Sequence, residues 1–385
     1  MPGDRHPRAG RWPELSATTR AALRLLQRRG PLGRAEMARM LGVSRANLTR
    51  VTRELLAAGL IAEGATELRA STGRPSELLE LVPDARHFMG VKLTGDTVYV
   101  VVVDLSWRVV FAGDWPIRSR QVEDVVHEIG TILSAVEEEL PDIAGLGVSL
   151  AGSMSEPREH RVVHESVYLG WDGVPLADLI AADVGLPTTV ENDVQALTLA
   201  ESLMLADSVA GVTLALVTVG VGIGVGYVID GALVAGAHGR PGRIDHTIVD
   251  PDGPACDRGH RGCVSSYLAS SSIVRNSGSL DYASALDAAR RGDRRARRAF
   301  DDAGRALGVV IATVVNSMDP GRVILTGDGL ALYEISSTAI EASIRRTVSW
   351  DAGEFVLDVR PFDFSEWARA AGIVAVEAAL AGRQT

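Results

Sequence analysis

The N-terminal part of the chain carries the apolar spacing of three short helices. They are predicted over residues 16–30, 32–41 and 44–59, each ending at or beside a glycine. In the third, Leu48, Val51 and Leu55 recur at intervals of three and four, so they share one helix face. Ser44 is a suitable N-cap for that helix. Two helices joined by a short turn at Gly42 predict a helix-turn-helix.

The polar face of the third helix is the candidate DNA-reading surface. In a helix-turn-helix, the second helix enters the major groove, with its N-terminal side chains nearest the bases. The candidate contacts are Ser44, Arg45, Asn47, Thr49, Arg50 and Arg53. Residues 59–82 then read as strand, turn and strand, which is typical of a wing. The "TGRPS" stretch in that wing offers Arg74 to a phosphate or a minor groove.

From Phe88 onward the pattern changes to β-structure. Three apolar runs, "FMGVKL", "VYVVVVDL" and "VVFAGDW", predict an antiparallel meander, followed by a helix over 122–140 and the strand "IAGLGVSL". A second meander is predicted from "VTLALVTV", "GVGYVID" and "ALVAG", with long helices after it. A meander with helices, occurring twice, indicates a duplicated α/β architecture with a cleft between its halves.

Charge separates the two parts of the chain. Residues 1–82 carry a net charge of +6 and the remainder −16, so a basic nucleic-acid module precedes an acidic body. We expect a flexible arm over residues 1–12, a winged helix-turn-helix over 13–82 and the body over 83–385. The absence of a long apolar run or signal peptide, with only two cysteines, predicts a cytoplasmic protein without membrane segments or disulfides.

Several motifs of the body occur together in one order. These are "LGVSLAGSM", "ENDVQALTLAE", "GAHGRPGRIDHTIVDPDGPACDRGHRGC" and "NSMDPGRVILTGDG". They resemble the ROK family of bacterial repressors and sugar kinases over about residues 85–385. The resemblance implies an actin-like, ribonuclease H-like duplicated α/β fold. The winged helix in front resembles the repressor branch of the family.

The family's phosphate loops are altered in this chain. The first loop has the form D-x-G-x-T-K in relatives, and the matching stretch "KLTGDT" puts Lys92 at the acidic position and Thr94 at the first glycine. The second loop, G-T-G-I-G in relatives, reads "GVGIG", where Val221 removes a hydroxyl donor. A kinase needs these loops to hold ATP and Mg²⁺. We therefore expect a kinase-like body that is not an enzyme.

The resemblance also implies a ligand site. Asn192 and Asp193 match the family's sugar-binding asparagine and catalytic aspartate, although an aspartate that caps a helix would have the same spacing. Two sugar-binding glutamates of relatives are replaced, one by Arg243 and one by Ser265. With His246, these residues form the candidate pocket. A guanidinium suits a carboxylate or phosphate, so the effector is expected to be an anionic sugar derivative, unless Asp245 pairs with Arg243 and neutralises it.

The cysteine loop resembles the family's zinc site but departs from it. His246, Cys256 and Cys263 match three zinc ligands, while Arg258 stands at the fourth and cannot coordinate a metal. A structural zinc needs four ligands. We expect a degraded loop without zinc. The alternative is that His260 replaces the missing thiolate.

Together these features predict a homodimer, or a dimer of dimers, that acts as a transcriptional repressor. A two-fold dimer presents two identical readers to a roughly palindromic operator in double-stranded DNA, and the body senses the small molecule. Two alternatives remain: an active sugar kinase with an added DNA-binding module, and a body that only dimerises and holds other proteins.

Overall fold

The computed structural model describes residues 12–67, 76–155, 161–205, 213–349 and 353–382. The chain divides into two compact units. The first comprises Met1–Ala200 and Ser365–Thr385, and the second Glu201–Phe364. The first unit holds the N-terminal winged helix and one α/β lobe, and the second holds the other lobe.

The N-terminal domain is a winged helix. Its elements are α1 (Ala17–Arg29), β1 (Leu32–Gly33), α2 (Arg34–Leu41), α3 (Arg45–Ala57), β2 (Ile61–Glu67) and β3 (Ser76–Leu81). Ser16 and Ser44 cap α1 and α3 through their hydroxyls, at 3.1 and 3.2 Å from the backbone nitrogens they accept from. Gly42 ends α2 in the left-handed region, at φ +65°. The three predicted helices and the two wing strands are confirmed.

Two predictions for this region need comment. Trp12, assigned to a flexible arm, is only 4% exposed and packs edge-to-face on Phe88, with ring centroids 5.6 Å apart. Trp12 is therefore packed rather than flexible, because burial stabilises a large aromatic ring. The rest of the predicted arm, residues 1–11, lies outside the described residues. Arg74, the predicted wing contact, lies outside the described residues.

The lobe of the first unit is a mixed sheet, with strand order β11-β7-β4-β5-β6 in the described part of the chain. Both of its central strands, β4 and β7, are buried at every residue, as their continuous apolar runs predict. The elements are β4 (His87–Leu93), β5 (Thr97–Asp104), β6 (Val109–Pro116), α4 (Val122–Glu139), β7 (Ile143–Leu150), β8 (Ser153–Met154), β9 (Val163–Ser166), β10 (Trp171–Val174), α5 (Leu176–Val184), β11 (Thr188–Asn192) and α6 (Asp193–Met204).

The second unit repeats this arrangement, with strand order β14-β13-β12-β15-β16 among the described residues. In each lobe, an antiparallel meander is extended by two parallel strands, so the predicted duplication is confirmed. The elements are β12 (Leu214–Val219), β13 (Ile223–Ile229), β14 (Ala232–Leu233), α7 (Val264–Leu268), α8 (Ser270–Ser277), α9 (Tyr282–Arg290), α10 (Arg294–Met318), β15 (Arg322–Thr326), α11 (Ala331–Thr347) and β16 (Val356–Val359). No helix among the described residues is long and apolar enough to span a bilayer.

The last helix, α12 (Phe364–Ala381), lies directly on the central strands of the first unit. A Cβ atom added to Gly90 on β4 or to Gly147 on β7 would lie 1.9 Å from a backbone oxygen of this helix, that of Ala368 or Ala371. The backbones are therefore in contact, and glycine is required at both positions. The short sheet β10-β9-β8 was not predicted, because strands of two to four residues carry little periodicity.

We expect Gly147→Ala to destabilise the first unit, because the new methyl group meets backbone atoms that cannot rotate away. Overpacking of this kind costs about 1–3 kcal/mol, which corresponds to a fall of about 5 °C in melting temperature for a unit of this size. Scanning calorimetry measures it. The control is Gly222→Ala, where a Cβ would meet nothing within 4 Å. Equal melting temperatures for the two variants would contradict the packing described.

Candidate functional site

The predicted DNA-reading helix, α3, presents several arginines to solvent. Arg45, Arg50 and Arg53 are exposed, while Leu48 and Val51 are buried on the opposite face. Among the described residues, Arg45 and Arg53 have no ion-pair partner within 4.0 Å. Their guanidinium groups are therefore available to a phosphate or a base edge.

The other predicted contacts on α3 also serve the helix itself. Arg50 forms an ion pair with Glu54 and donates to Asn47 Oδ1 at 3.1 Å. Thr49 donates its hydroxyl to the carbonyl of Arg45 at 2.9 Å. The structure therefore brings all six predicted residues of this helix to one end or face, with two of the arginines unengaged.

A buried charge cluster lies where the first phosphate loop was sought. The Lys92 ammonium on β4 forms an ion pair with the carboxylate of Asp193, the first residue of α6, and the two side chains are 5% and 12% exposed. The ammonium also lies 5.1 Å from the ring centroid of Trp367 on α12, a favourable cation–π arrangement. The Asp193 carboxylate is thus engaged by a cation inside the protein.

Asn192, the neighbouring candidate, is engaged by the protein backbone. Its Nδ2 donates to the carbonyl of Gly152 at 2.9 Å, and its Oδ1 accepts from the backbone nitrogen of Gln195 at 3.2 Å. The second contact is that of a helix N-cap. The capping role suggested for Asp193 therefore belongs to Asn192, and Asp193 is held instead by Lys92.

The turn between β4 and β5 is closed by its own side chains. The Thr94 hydroxyl accepts from the backbone nitrogen of Thr97 at 2.9 Å and lies 2.9 Å from a carboxylate oxygen of Asp96. Two carbonyls of the turn are engaged from outside it, since Gly95 O accepts from Arg120 Nε and Asp96 O accepts from the backbone nitrogen of Ile117.

The second glycine loop, residues 220–224, faces a carboxylate in the second unit. A Cβ added to Gly220 would lie 1.6 Å from Oδ1 of Asp328, so that carboxylate rests on the loop backbone. Val221 at the tip of the loop is 56% exposed. A negative charge against the loop opposes the binding of a phosphate there.

The remaining ligand candidates, Arg243, His246 and Ser265, lie in the second unit, whereas Asn192 and Asp193 lie in the first. Arg243 is exposed and has no ion-pair partner among the described residues. Asp245 lies instead beside His246, with Oδ2 3.3 Å from Nε2, so the suggested Arg243–Asp245 pair is not formed. The backbone nitrogen of Ser265 donates to the carbonyl of Asp245 at 2.6 Å, which joins the two segments. Whether the five candidates form one pocket stays a prediction.

The cysteine loop of the second unit gathers four potential metal ligands. Donor atoms of His246, Cys256, His260 and Cys263 all lie within 4.8 Å of one another. The turn at Gly259 thus brings His260, the alternative ligand suggested by the sequence, beside the other three residues. Whether the loop binds zinc stays a prediction. Both cysteines are buried.

The distances from His246 to the two cysteines fit a shared zinc ion. Nδ1 of His246 lies 3.4 Å from Sγ of Cys256 and 3.7 Å from Sγ of Cys263. Tetrahedral zinc with bonds of about 2.0 Å to nitrogen and about 2.3 Å to sulfur requires N···S separations of about 3.5 Å. The opposite ring nitrogen of His246 faces Asp245, the carboxylate partner typical of a metal-bound histidine. Burial raises the pKa of the Cys256 thiol to about 11, so its thiolate depends on a nearby cation.

Sequence reasoning missed two residues at these sites, Trp367 and Asp328, and it missed the burial of Trp12. Trp367 and Asp328 lie within regular helical or glycine-rich stretches that carry no separate signal. Trp12 was the one with a usable signal, because an aromatic side chain beside a predicted first helix is a candidate for burial. The basic and cysteine motifs, by contrast, were visible in the sequence.

Comparison with known proteins identifies the two parts of the chain. A model described as the ROK family matches residues 88–379, and one described as the MarR family matches residues 15–63. The DNA-binding transcriptional repressor Mlc of Escherichia coli strain K12 is 24% identical over 383 residues, covering 94% of this chain and 92% of Mlc. The N-acetylglucosamine repressor of Escherichia coli O157:H7 is 26% identical over 344 residues, covering 84% and 83%.

Solved structures extend the likeness to the fold of the whole chain. A crystal structure of a ROK family transcriptional regulator, homologous to the E. coli Mlc protein, has a TM-score of 0.82 at 24% identity and covers 95% of this chain and 97% of its own. The winged helix and the duplicated actin-like lobes are thus found together in that regulator. Because the ROK model matches well over half of the sequence, the protein belongs to the ROK family.

Proposed function

We propose that the protein is a DNA-binding transcriptional repressor controlled by a small molecule. The observation that carries the proposal is the winged helix joined to a ROK body, with Arg45 and Arg53 of α3 exposed and unengaged. Relatives named as repressors share this arrangement along most of the chain. The basic head supplies the salt-dependent attraction to phosphates, and α3 reads bases.

The operator that we propose is a rough palindrome in double-stranded DNA. A two-fold dimer of this chain presents two α3 helices about one helical turn of DNA apart. The body supplies the dimer contacts, and a dimer of dimers remains compatible with the proposal. We propose a cytoplasmic location, because a bacterial operator lies in the cytoplasm.

A kinase with an added DNA-binding module is the alternative from another class. Asn192 and Asp193 match the kinase pattern, but Lys92 holds the Asp193 carboxylate in a buried ion pair. A general base must be free to take the proton of the sugar hydroxyl. The kinase also needs a phosphate at the second glycine loop, and the Asp328 carboxylate that lies against Gly220 repels a phosphate there. ATP-dependent phosphorylation of a hexose, abolished by Asp193→Asn, would favour the kinase instead.

The effector that we propose is an anionic sugar derivative. Arg243 is exposed and free of ion pairs among the described residues, so its planar fork can bind a carboxylate or phosphate. Asp245, which could have neutralised it, lies beside His246. The N-acetylglucosamine repressor supports a sugar as the core of the effector.

Zinc is proposed as a structural component of the cysteine loop. The ligands are His246, Cys256, His260 and Cys263, a Cys₂His₂ set in which one histidine replaces a family cysteine. A closed four-ligand zinc crosslinks segments of the chain and contributes to folding. It has no part in a reaction.

For the DNA-binding proposal, we expect Arg45→Ala and Arg53→Ala to weaken binding to a duplex selected from a random pool by the purified protein. Loss of a base contact costs about 1–3 kcal/mol, and loss of a phosphate contact lowers the salt slope by about one unit. Fluorescence anisotropy over a salt series measures both. Arg346→Ala, an exposed arginine on α11, is the control. Equal losses in all three variants, or no selectable duplex, would count against the proposal.

For the effector proposal, we expect calorimetry to show tighter binding of hexose 6-phosphates or sugar acids than of the neutral hexoses. Arg243→Glu should remove that preference, because it turns an attraction to the anion into a repulsion. Arg240→Glu, an exposed arginine three residues earlier, should keep it. Tight binding of a neutral sugar that ignores Arg243→Glu contradicts the anionic effector, and no binding by any member of the panel favours the scaffold alternative.

For the metal proposal, elemental analysis should find about one zinc per chain, and chelation should lower the melting temperature of the second unit. His260→Ala should lower the zinc content, while His238→Ala, an exposed histidine outside the cluster, should leave it unchanged. Zinc well below stoichiometry in the protein as purified and after incubation with zinc would return the loop to the degraded site predicted from sequence.

A further inference from the structure

Among the described residues, the N-terminal domain, called the head below, contacts the lobe of the first unit through Trp12, Arg24 and Gln27. A small cavity beside the Trp12 ring is lined by residues of β4, β7, α12 and the segment 187–189 that starts β11. Arg24 of α1 donates to the Glu377 carboxylate of α12 at 3.0 Å and to its backbone oxygen at 3.3 Å. Gln27 of α1 donates to the carbonyl of Leu105 at 2.6 Å. These contacts hold the head in one position on the lobe, and the surface that they form is called the seat below.

The Glu377 side chain is largely shielded from solvent at the contact between the head and the lobe. It is only 13% exposed, and burial raises the pKa of its carboxyl group although Arg24 acts to lower it. Its second oxygen is buried without a hydrogen-bond partner among the described residues. The Arg24 guanidinium therefore compensates a carboxylate that the docked arrangement removes from water, and this pairing ties α1 to α12.

From the seat, contacts continue to the DNA-reading helix. Thr19 of α1 is fully buried and donates its hydroxyl to Glu54 of α3 at 2.8 Å. Glu54 in turn holds Arg50 on the DNA-facing side of α3. The orientation of α1 on the lobe thus sets the orientation of α3.

Three elements run from the seat to the Lys92–Asp193 cluster. Strand β4 carries Phe88, which contacts Trp12, and four residues later Lys92. Strand β11 borders the Trp12 cavity at Thr188 and Thr189 and ends at Asn192, about 13 Å away at the usual rise.

Helix α12 makes the third connection. It carries Trp367 at the cluster and Glu377 at the seat, about 15 Å apart along the helix. Each of the three elements therefore contacts the head at one end and the charge cluster at the other. Because α12 lies in backbone contact with β4 and β7, it cannot shift at one end without moving at the other.

We propose that Trp12 and Arg24 are positioning residues that hold the head in one orientation, and that β4, β11 and α12 transmit changes at the Lys92–Asp193 cluster to them. The inference rests on the proposed function, since it holds that the position of the DNA-binding head depends on whether the ligand site is occupied. A ligand that engages Asn192 or Asp193 would displace the ion pair, loosen the seat and lower DNA affinity.

Hydrogen exchange followed by mass spectrometry tests the coupling in the full chain, without DNA or effector. We expect Asp193→Asn to speed exchange in α1 roughly threefold or more, because local opening of the head becomes easier. Trp12→Ala should do the same. In the double variant, the added effect of Asp193→Asn on α1 should vanish, while its effect on β11 remains. Trp12→Phe, which keeps an aromatic ring in the seat, should restore the response.

The inference is overturned if Asp193→Asn changes exchange around β11 but leaves α1 unchanged, or if it affects α1 equally with and without Trp12. Lys92→Met, which breaks the same ion pair from the other side, is the second variant should Asp193→Asn fail to fold. Exchange in α10, which lies in the other unit, serves as the reference for global unfolding. If the exchange experiment shows no coupling but the protein binds DNA, the further inference is wrong and the proposed function is unaffected. If the coupling is present but the protein binds no DNA, the proposed function is wrong and the structural coupling stands.

Discussion

The backbone contact between the C-terminal helix α12 and two glycines of the central sheet is the constraint on which the first unit depends. Gly90 and Gly147 leave no room for a single methyl group beneath the helix. Interiors are packed without slack, so a helix seated at this distance has its rotation and its height fixed together. Trp367 at one end and Glu377 at the other are thereby placed against Lys92 and Arg24.

Two ion pairs that differ in solvent exposure lie near the two ends of this helix, Lys92–Asp193 and Arg24–Glu377. Lys92 and Asp193 are both nearly inaccessible, and removing charges from water costs several kcal/mol per ion before any gain from pairing. Such a pair adds little net stability, but breaking it leaves an uncompensated buried charge. Arg24 is 35% exposed while Glu377 is 13% exposed, so the pair that joins the head to the lobe lies closer to solvent than the inner pair. Disrupting the inner pair is therefore the more costly of the two changes.

The extent to which the sequence predicts this molecule follows the range of the interactions involved. Helix caps at Ser16 and Ser44, the wing and both meanders depend on neighbours a few residues away, and the spacing of apolar residues predicts them. The pairing of Arg24 with Glu377 joins positions 353 residues apart, and no local pattern carries it. The same reason applies to Lys92, whose partner lies 101 residues further along the chain. The aromatic character of Trp12 indicates burial, but its contact with Phe88 of the lobe cannot be read from local spacing.

In the cysteine loop, His260 lies beside the other potential ligands although its position in the sequence differs from that of the family's middle cysteine, where this chain has Arg258. His260 reaches the cluster because the chain turns at Gly259, where φ is +86°, and because Cys256 donates its backbone N–H to the His260 carbonyl at 2.7 Å. Arg243 precedes this loop and Ser265 lies in the first turn of α7 after it, and the backbone nitrogen of Ser265 donates to the carbonyl of Asp245. Asp245 also orients His246 within the metal cluster. A metal held by these four donors would therefore hold together the two backbone segments that carry Asp245 and Ser265.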